Sequence, residues 1–101
     1  MTKAIGDKSH AGGRKSEAHG ENSFAHGQTV KAKEDNQFVV GKYNADNSNA
    51  IFIVGNGTGT AYDDKQYANA FMVLKDGRAV IASAPTGLMD VANKAYVDRV
   101  S

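Results

Sequence analysis

A short motif, S-x-A-x-G, recurs every seven residues through the first third of the chain. Residues 9–13, 16–20 and 23–27 follow it, and residues 2–6 fit it with Thr2 in place of serine. Glycines continue on a double period of fourteen residues: Gly13, Gly27, Gly41 and Gly55. Self-similarity at a fixed period is typical of stacked, solenoid-like folds. The repeat therefore predicts a coil of similar short turns and argues against a flexible linker.

Alternate residues of an extended strand point to opposite sides. The first, third and fifth positions of the motif are small, so this side is expected to face a confined space. The other side becomes apolar along the chain: Lys3/Ile5, His10/Gly12, Glu17/His19, Phe24/His26, Phe38/Val40 and Phe52/Val54. Five extended residues followed by a two-residue corner predict two short strands per fourteen-residue coil. Residues 30–36, where Glu34 replaces the glycine, predict an irregular coil before the second half.

Large apolar side chains are scarce in this chain of 101 residues, since Leu, Ile, Val and Phe together number only 19. So few can hardly fill a core alone, and without cysteines for disulfides oligomerisation is the expected remedy. A net charge of +1 with interspersed signs gives no basic stripe, so no nucleic acid partner is expected. No apolar run approaches the ~18 residues of a membrane helix. Residues 1–10 lack the apolar core of a signal peptide. Neither membrane insertion nor export by such a signal is expected.

The remainder of the sequence predicts further strands. Residues 37–43 and 50–55 each predict a strand, and a turn-rich segment joins them. The stretches "AFMVL" and "AVIAS" predict a β-hairpin with Asp76-Gly77 as a two-residue turn. Between these two pairs of strands, residues 56–69 predict a polar loop. The fold class that follows is mainly β.

The C-terminal residues predict a short helix. Pro85 marks a break, and residues 90–100 can form a helix with Asp90 as its N-cap. Because a helix of this length is marginal alone, three copies in a bundle are expected to cover its narrow apolar stripe. The expected trimerising residues are Leu88, Val91, Ala95 and Val100.

The repeat resembles the left-handed β-roll heads of YadA-like trimeric autotransporter adhesins. It also resembles a related repeat of bacteriophage tail and head fibres, often written "SHAEG". The segment that follows is similar to phage fibre and appendage proteins with a peptidase G2-type region. The tail "DVANKAYVDRV" resembles a segment that begins a trimeric coil in phage fibres. The similarity to proteins with a peptidase G2-type region is carried by Gln37, Val39, Gly41, Lys42, Tyr43, Asn44, Ile53, Val54, Gly55, Asn56, Gly57, Thr58, Asn69 and Ala70.

The resemblance implies a parallel homotrimer of left-handed β-roll coils with a β-hairpin region and a three-helix bundle. Three regions are implied: a β-roll over 1–36, a β-rich fibre domain over 37–84 and a trimerising helix over 85–101. The implied function is a tail or head fibre of a phage or prophage virion, assembled in the host cytoplasm. Its implied partners are other virion proteins and a host-surface glycan or protein.

Two alternatives remain open. The chain could be a fragment of a trimeric autotransporter adhesin, or a self-processing or glycan-cleaving fibre domain. Self-cleaving relatives carry a further C-terminal chaperone module, and the sequence ends at Ser101 without one. No enzymatic activity is therefore expected. No cofactor is expected either.

Few side chains point to specific chemistry. His19 and His26 stand one repeat apart, and in a trimer they could form imidazole rings around a transition metal. The alternative, packed or solvated polar residues, is preferred, so no metal is expected. Tyr62, Lys65 and Tyr67 lie in the polar loop, and exposed tyrosine suits contacts with a glycan or protein receptor. Packing of this loop onto the trimer is the alternative.

Overall fold

The computed structural model describes residues 1–59 and 64–100. Within these residues the chain is mainly β, as predicted, and ends in one short helix. The elements are β1 (Lys3–Ala4), β2 (His10–Arg14), β3 (Glu17–Ala18), β4 (Phe24–Gln28), β5 (Lys31–Ala32), β6 (Phe38–Lys42), β7 (Ala50–Asn56), β8 (Asn69–Leu74), β9 (Ala79–Ile81) and α1 (Lys94–Val100).

The first seven strands stack as a parallel coil. They form a three-stranded sheet in the order β1-β3-β5 and the first part of a six-stranded sheet in the order β2-β4-β6-β7-β8-β9. Neighbouring strands are displaced by fourteen residues, so that Phe24 pairs with Phe38, and Phe38 with Phe52. This confirms two short strands per coil. Each corner has a residue with φ between 45° and 61°: Lys8, Lys15, Asn22, Thr29, Asn36 and Tyr43.

Small side chains fill the space between the two sheets. Ala18, Ala25 and Ala32 are fully buried there, which confirms that the small side of the repeat faces a confined space. The buried Ser16 and Ser23 hydroxyls donate to backbone carbonyls at 2.8 and 2.6 Å, so their burial leaves no polar group unpaired. Larger side chains join the core only further along the coil: Val30, Val39 and Ile53.

The coil continues regularly through residues 30–36, so the irregularity predicted there is wrong. β5 pairs with β3 in the same register, with Lys31 beside Glu17 and Ala32 beside Ala18. The backbone turn is made two residues after Glu34, by Asn36 at a φ of 61°. The same turn follows Gly20 one coil earlier, at Asn22, so it does not depend on a glycine in this column. A β-carbon at Gly20 would overlap the Glu34 carbonyl oxygen of the next coil, whereas in the described part of the chain β5 is the last strand of its sheet and no strand stacks on Glu34. The coil therefore runs through the boundary between residues 36 and 37.

Two antiparallel strands end the parallel stack. β8 pairs with β7, and β9 pairs with β8, which confirms the predicted hairpin. The turn between β8 and β9 has three residues, 75–77, since the N–H of Leu74 donates to the carbonyl of Arg78 at 2.8 Å. The predicted two-residue turn is wrong because Gly77, at a φ of 93°, follows a tight turn as the third loop residue.

The helix is shorter than predicted, because its N-cap is Asn93. The Asn93 side-chain oxygen accepts a hydrogen bond from the Tyr96 N–H at 2.9 Å. Asp90, the predicted cap, instead accepts from the N–H groups of Gly87 and Thr86 at 2.9 and 3.0 Å. These bonds hold the pKa of Asp90 below its usual value. The helix thus begins only after the turn that uses this carboxylate. No helix in the described part of the chain is long and apolar enough to span a bilayer.

Candidate functional site

The solvent side of the six-stranded sheet is an apolar surface, here called the outer apolar face. The fourteen-residue register stacks Phe24, Phe38 and Phe52 into a ladder, with ring centroids 4.3 and 5.5 Å apart. Phe71 of β8 adds an edge contact to Phe52 at 6.1 Å. Strand alternation places a second apolar column beside the ladder. The members of the face are Phe24, Phe38, Val40, Phe52, Val54, Phe71 and Ile81.

This face is not part of the chain's own core. The intervening residues Val39 and Ile53 point inward and are fully buried, whereas the Phe38 side chain is 39% exposed. β6 and β7 are thus apolar on both sides, as strands are when both faces of a sheet are covered. Phe38 is exposed and the other members of the face are half-buried, so the face is in contact with water in the single chain. Apolar surface of this kind is a candidate interaction site.

The histidines lie on two different sheets. The His10 ring stacks on Phe24 at 4.6 Å and extends the ladder at its N-terminal end. His26 lies 6.4 Å from His10, in the neighbouring column of Val40. His19 follows β3 of the other sheet, with its Nε2 2.7 Å from the Glu17 Oε1. Successive seven-residue units alternate between sheets, so His19 and His26 share no column. The described residues contain no group of three or more His, Cys, Asp or Glu placed to hold a metal ion.

The two described receptor candidates lie close together near the C-terminal end of the coil. The Tyr67 side chain is 52% exposed, and its ring centroid lies 6.4 Å from that of the buried Tyr43. Lys65 is exposed beside it. Tyr62, the third candidate, lies outside the described residues. This short segment thus presents an aromatic ring and an ammonium group to solvent.

Two amide side chains, the buried Asn44 and the half-buried Asn69, close the end of the coil, a role that the sequence does not reveal. The Asn44 amide accepts from the N–H of Lys31 at 2.8 Å and donates to its carbonyl at 3.1 Å. In the same way, the Asn69 amide accepts from the N–H of Ala45 at 2.9 Å and donates to its carbonyl at 2.8 Å. These bonds replace those of a further strand and cover backbone groups that would otherwise stay open to pairing. Asparagine is equally common in solvated turns, so sequence alone does not separate the two roles.

The expected trimerising residues are exposed in the single chain: Leu88, Val91, Ala95 and Val100. Val91 and Ala95 line a groove of about 540 Å³ together with Phe71 and Ile81 of the hairpin. The structure therefore brings two of the four next to the outer apolar face.

Comparisons of the chain with protein-family models, curated proteins and solved structures find no match.

Proposed function

We propose that the chain is a structural subunit of a bacteriophage or prophage particle. It forms a homotrimeric tail or head fibre that projects from the virion and attaches to the host surface. The observation that carries this proposal is the outer apolar face, which one chain leaves uncovered. Three left-handed coils around a common axis would bury this face on each chain, as in the trimeric fibres that the repeat and the tail resemble.

Burial of the phenylalanine ladder supplies a driving force for association. Complete burial of a phenylalanine side chain contributes about 1.5–3 kcal/mol. Phe24, Phe38 and Phe52 already cover part of one another, so roughly 1 kcal/mol remains for each ring. Three rings from each of three chains would contribute several kcal/mol to the trimer. This compensates for the scarcity of large apolar residues in each single core.

The C-terminal segment supports the same assembly. α1 has no buried residue within its own chain, and Val97 and Val100 are exposed on it. A bundle of three such helices would cover these side chains and fix the register of the chains. Attachment then depends on three copies of each surface loop, which raises the effective concentration of weak contacts.

A substitution in the ladder tests the trimer. We expect Phe38→Ser to shift the purified chain from trimer to monomer, because it removes the central ring of the proposed interface. Ile5→Ser is the matched control, since Ile5 is also a large exposed side chain, at 56%, and directly follows β1 of the other sheet. Size-exclusion chromatography with light scattering reads the mass of both variants. Equal masses for the two variants would contradict the proposed interface.

Localisation tests the virion role. Particles purified from cells that carry the gene would be labelled with a gold-conjugated antibody against the chain and imaged by electron microscopy. We expect label at the tail or the head surface. Particles without label would refute the proposal, and label in the host envelope would favour the autotransporter adhesin instead.

A further inference from the structure

A lysine-rich groove of about 320 Å³ lies along the three-stranded sheet, whose solvent side points away from the outer apolar face. The coil forms one side of it, and the segment with Lys65 and Tyr67 reaches it from the C-terminal half. The side chains that give the groove its chemistry are Lys3, Lys15, Glu17, Lys31, Lys65 and Tyr67. The groove thus combines residues of the first coils with two residues that lie far from them in the sequence, Lys65 and Tyr67.

The register of the sheet sets the charges in this groove. Lys3 pairs with Glu17, and Glu17 pairs with Lys31, so one carboxylate lies between two lysines on adjacent strands about 4.8 Å apart. The hydrogen bond from His19, followed by the fields of Lys31 and Lys3, holds the pKa of Glu17 below its usual value. Glu17 is therefore ionised at neutral pH, and the four lysines of the groove exceed it by three positive charges.

The aromatic side of the groove is Tyr67. Its half-exposed ring rests against Tyr43, which fixes its position, and leaves an apolar surface beside the lysines. An exposed tyrosine combines such a surface with a polar hydroxyl. A sugar ring can stack on the apolar part, while acidic substituents of the same sugar meet the ammonium groups.

We propose that this groove binds an anionic polysaccharide of the host surface, with Lys3 and Lys31 on its acid groups and Tyr67 under a sugar ring. The inference rests on the proposed attachment function and names the chemical class of its receptor. Glu17 can accept hydrogen bonds from sugar hydroxyls that lie between the acid groups, a contact that a chain of phosphates alone cannot supply. The groove is built within one chain, so a trimer carries three copies.

Binding of the full chain to defined polymers tests this inference. Biolayer interferometry would use immobilised polygalacturonate and dextran sulfate, which separate carboxylate from sulfate recognition. Neutral dextran and polyphosphate serve as controls for sugar without charge and charge without sugar. We expect binding to at least one of the two acidic polysaccharides, weaker binding to both controls, and loss of affinity as salt is raised.

Variants locate the site. We expect Lys3→Gln/Lys31→Gln and Tyr67→Ala each to weaken binding about tenfold, through lost charge-assisted contacts and lost stacking respectively. Lys8→Gln/Lys75→Gln is the matched control, since both lysines are exposed outside the groove and the charge change is the same. Circular dichroism melts would show that all variants fold.

Three results would overturn the inference. The first is that the chain binds neither acidic polysaccharide. The second is that the groove and control lysine pairs have equal effects on binding. The third is that polyphosphate binds as tightly as the polysaccharides and that Tyr67→Ala does not change its binding. Light scattering on the same samples measures the mass of the chain, so a failure of the proposed groove can be told from a failure of the proposed trimer. A trimer that does not bind refutes only the groove, whereas a monomer that binds refutes only the trimer.

Discussion

The close approach of successive coils at a glycine can be tested by adding a single methyl group. Gly41 of β6 lies between Gly27 and Gly55 of the neighbouring strands, at a φ of 101°. A β-carbon at this position would overlap the carbonyl oxygen of Gly55 and lie 3.0 Å from its nitrogen. Gly77 in the hairpin turn has a similar φ of 93°, but a β-carbon there would meet nothing within 4 Å. Alanine variants at the two positions share the backbone strain, and only the variant at Gly41 adds the steric overlap.

The expected losses of stability follow from these two contributions. Alanine in the left-handed region costs about 1–2 kcal/mol, which applies to both Gly41→Ala and Gly77→Ala. Overlap with a backbone that cannot move freely adds about 1–3 kcal/mol at Gly41 alone. We therefore expect Gly41→Ala to lower the free energy of unfolding by about 2–5 kcal/mol and Gly77→Ala by about 1–2 kcal/mol.

Urea unfolding monitored by circular dichroism would measure both variants at one protomer concentration, since association contributes to apparent stability. The entropic gain of a glycine-to-alanine change in the unfolded chain is common to the two and cancels in their difference. A Gly41→Ala loss no larger than that of Gly77→Ala would refute the close stacking of coils at this column.

Three further substitutions test the helix cap and the carboxylate of the groove. Asn93→Ala should cost about 1 kcal/mol of helix stability, seen as faster amide hydrogen exchange in α1, whereas Asp90→Ala should leave that exchange nearly unchanged; the reverse order would contradict the assigned cap. The folded pKa of Glu17 lies below its usual value of 4.5, chiefly through the bond to His19, so its contribution to stability is present above that pH and is lost as the pH falls through the folded value. The melting temperature of Glu17→Gln should therefore fall less steeply than wild type below about pH 4.5, and parallel curves would contradict this.

The coil was largely predictable because its repeat combines a fixed period with a fixed alternation of sizes. Small residues such as Ala18 and Ala25 had to face inward, since only that side is small in every copy. The corner after Glu34 was not predictable in this way. A glycine is required in this column only where a further coil stacks on it, and the sequence does not show that β5 is the last strand of its sheet.

The surfaces were predictable only where one column of the repeat forms them. The phenylalanine ladder follows directly from the fourteen-residue spacing of Phe24, Phe38 and Phe52. A seven-residue spacing does not say whether consecutive units share a sheet, so the separation of His19 from His26 required the structure. The groove combines the first coils with a distant loop, and no local pattern indicates such a meeting.

The solution mass of the purified chain, measured by light scattering over a dilution series, tests the proposed assembly most directly. The proposed trimer has a mass near three times 10.7 kDa that should persist on dilution, because the outer apolar face and α1 are both covered in it. A monomer with a cooperative melt would contradict it, since one chain would then be stable with this face open to water.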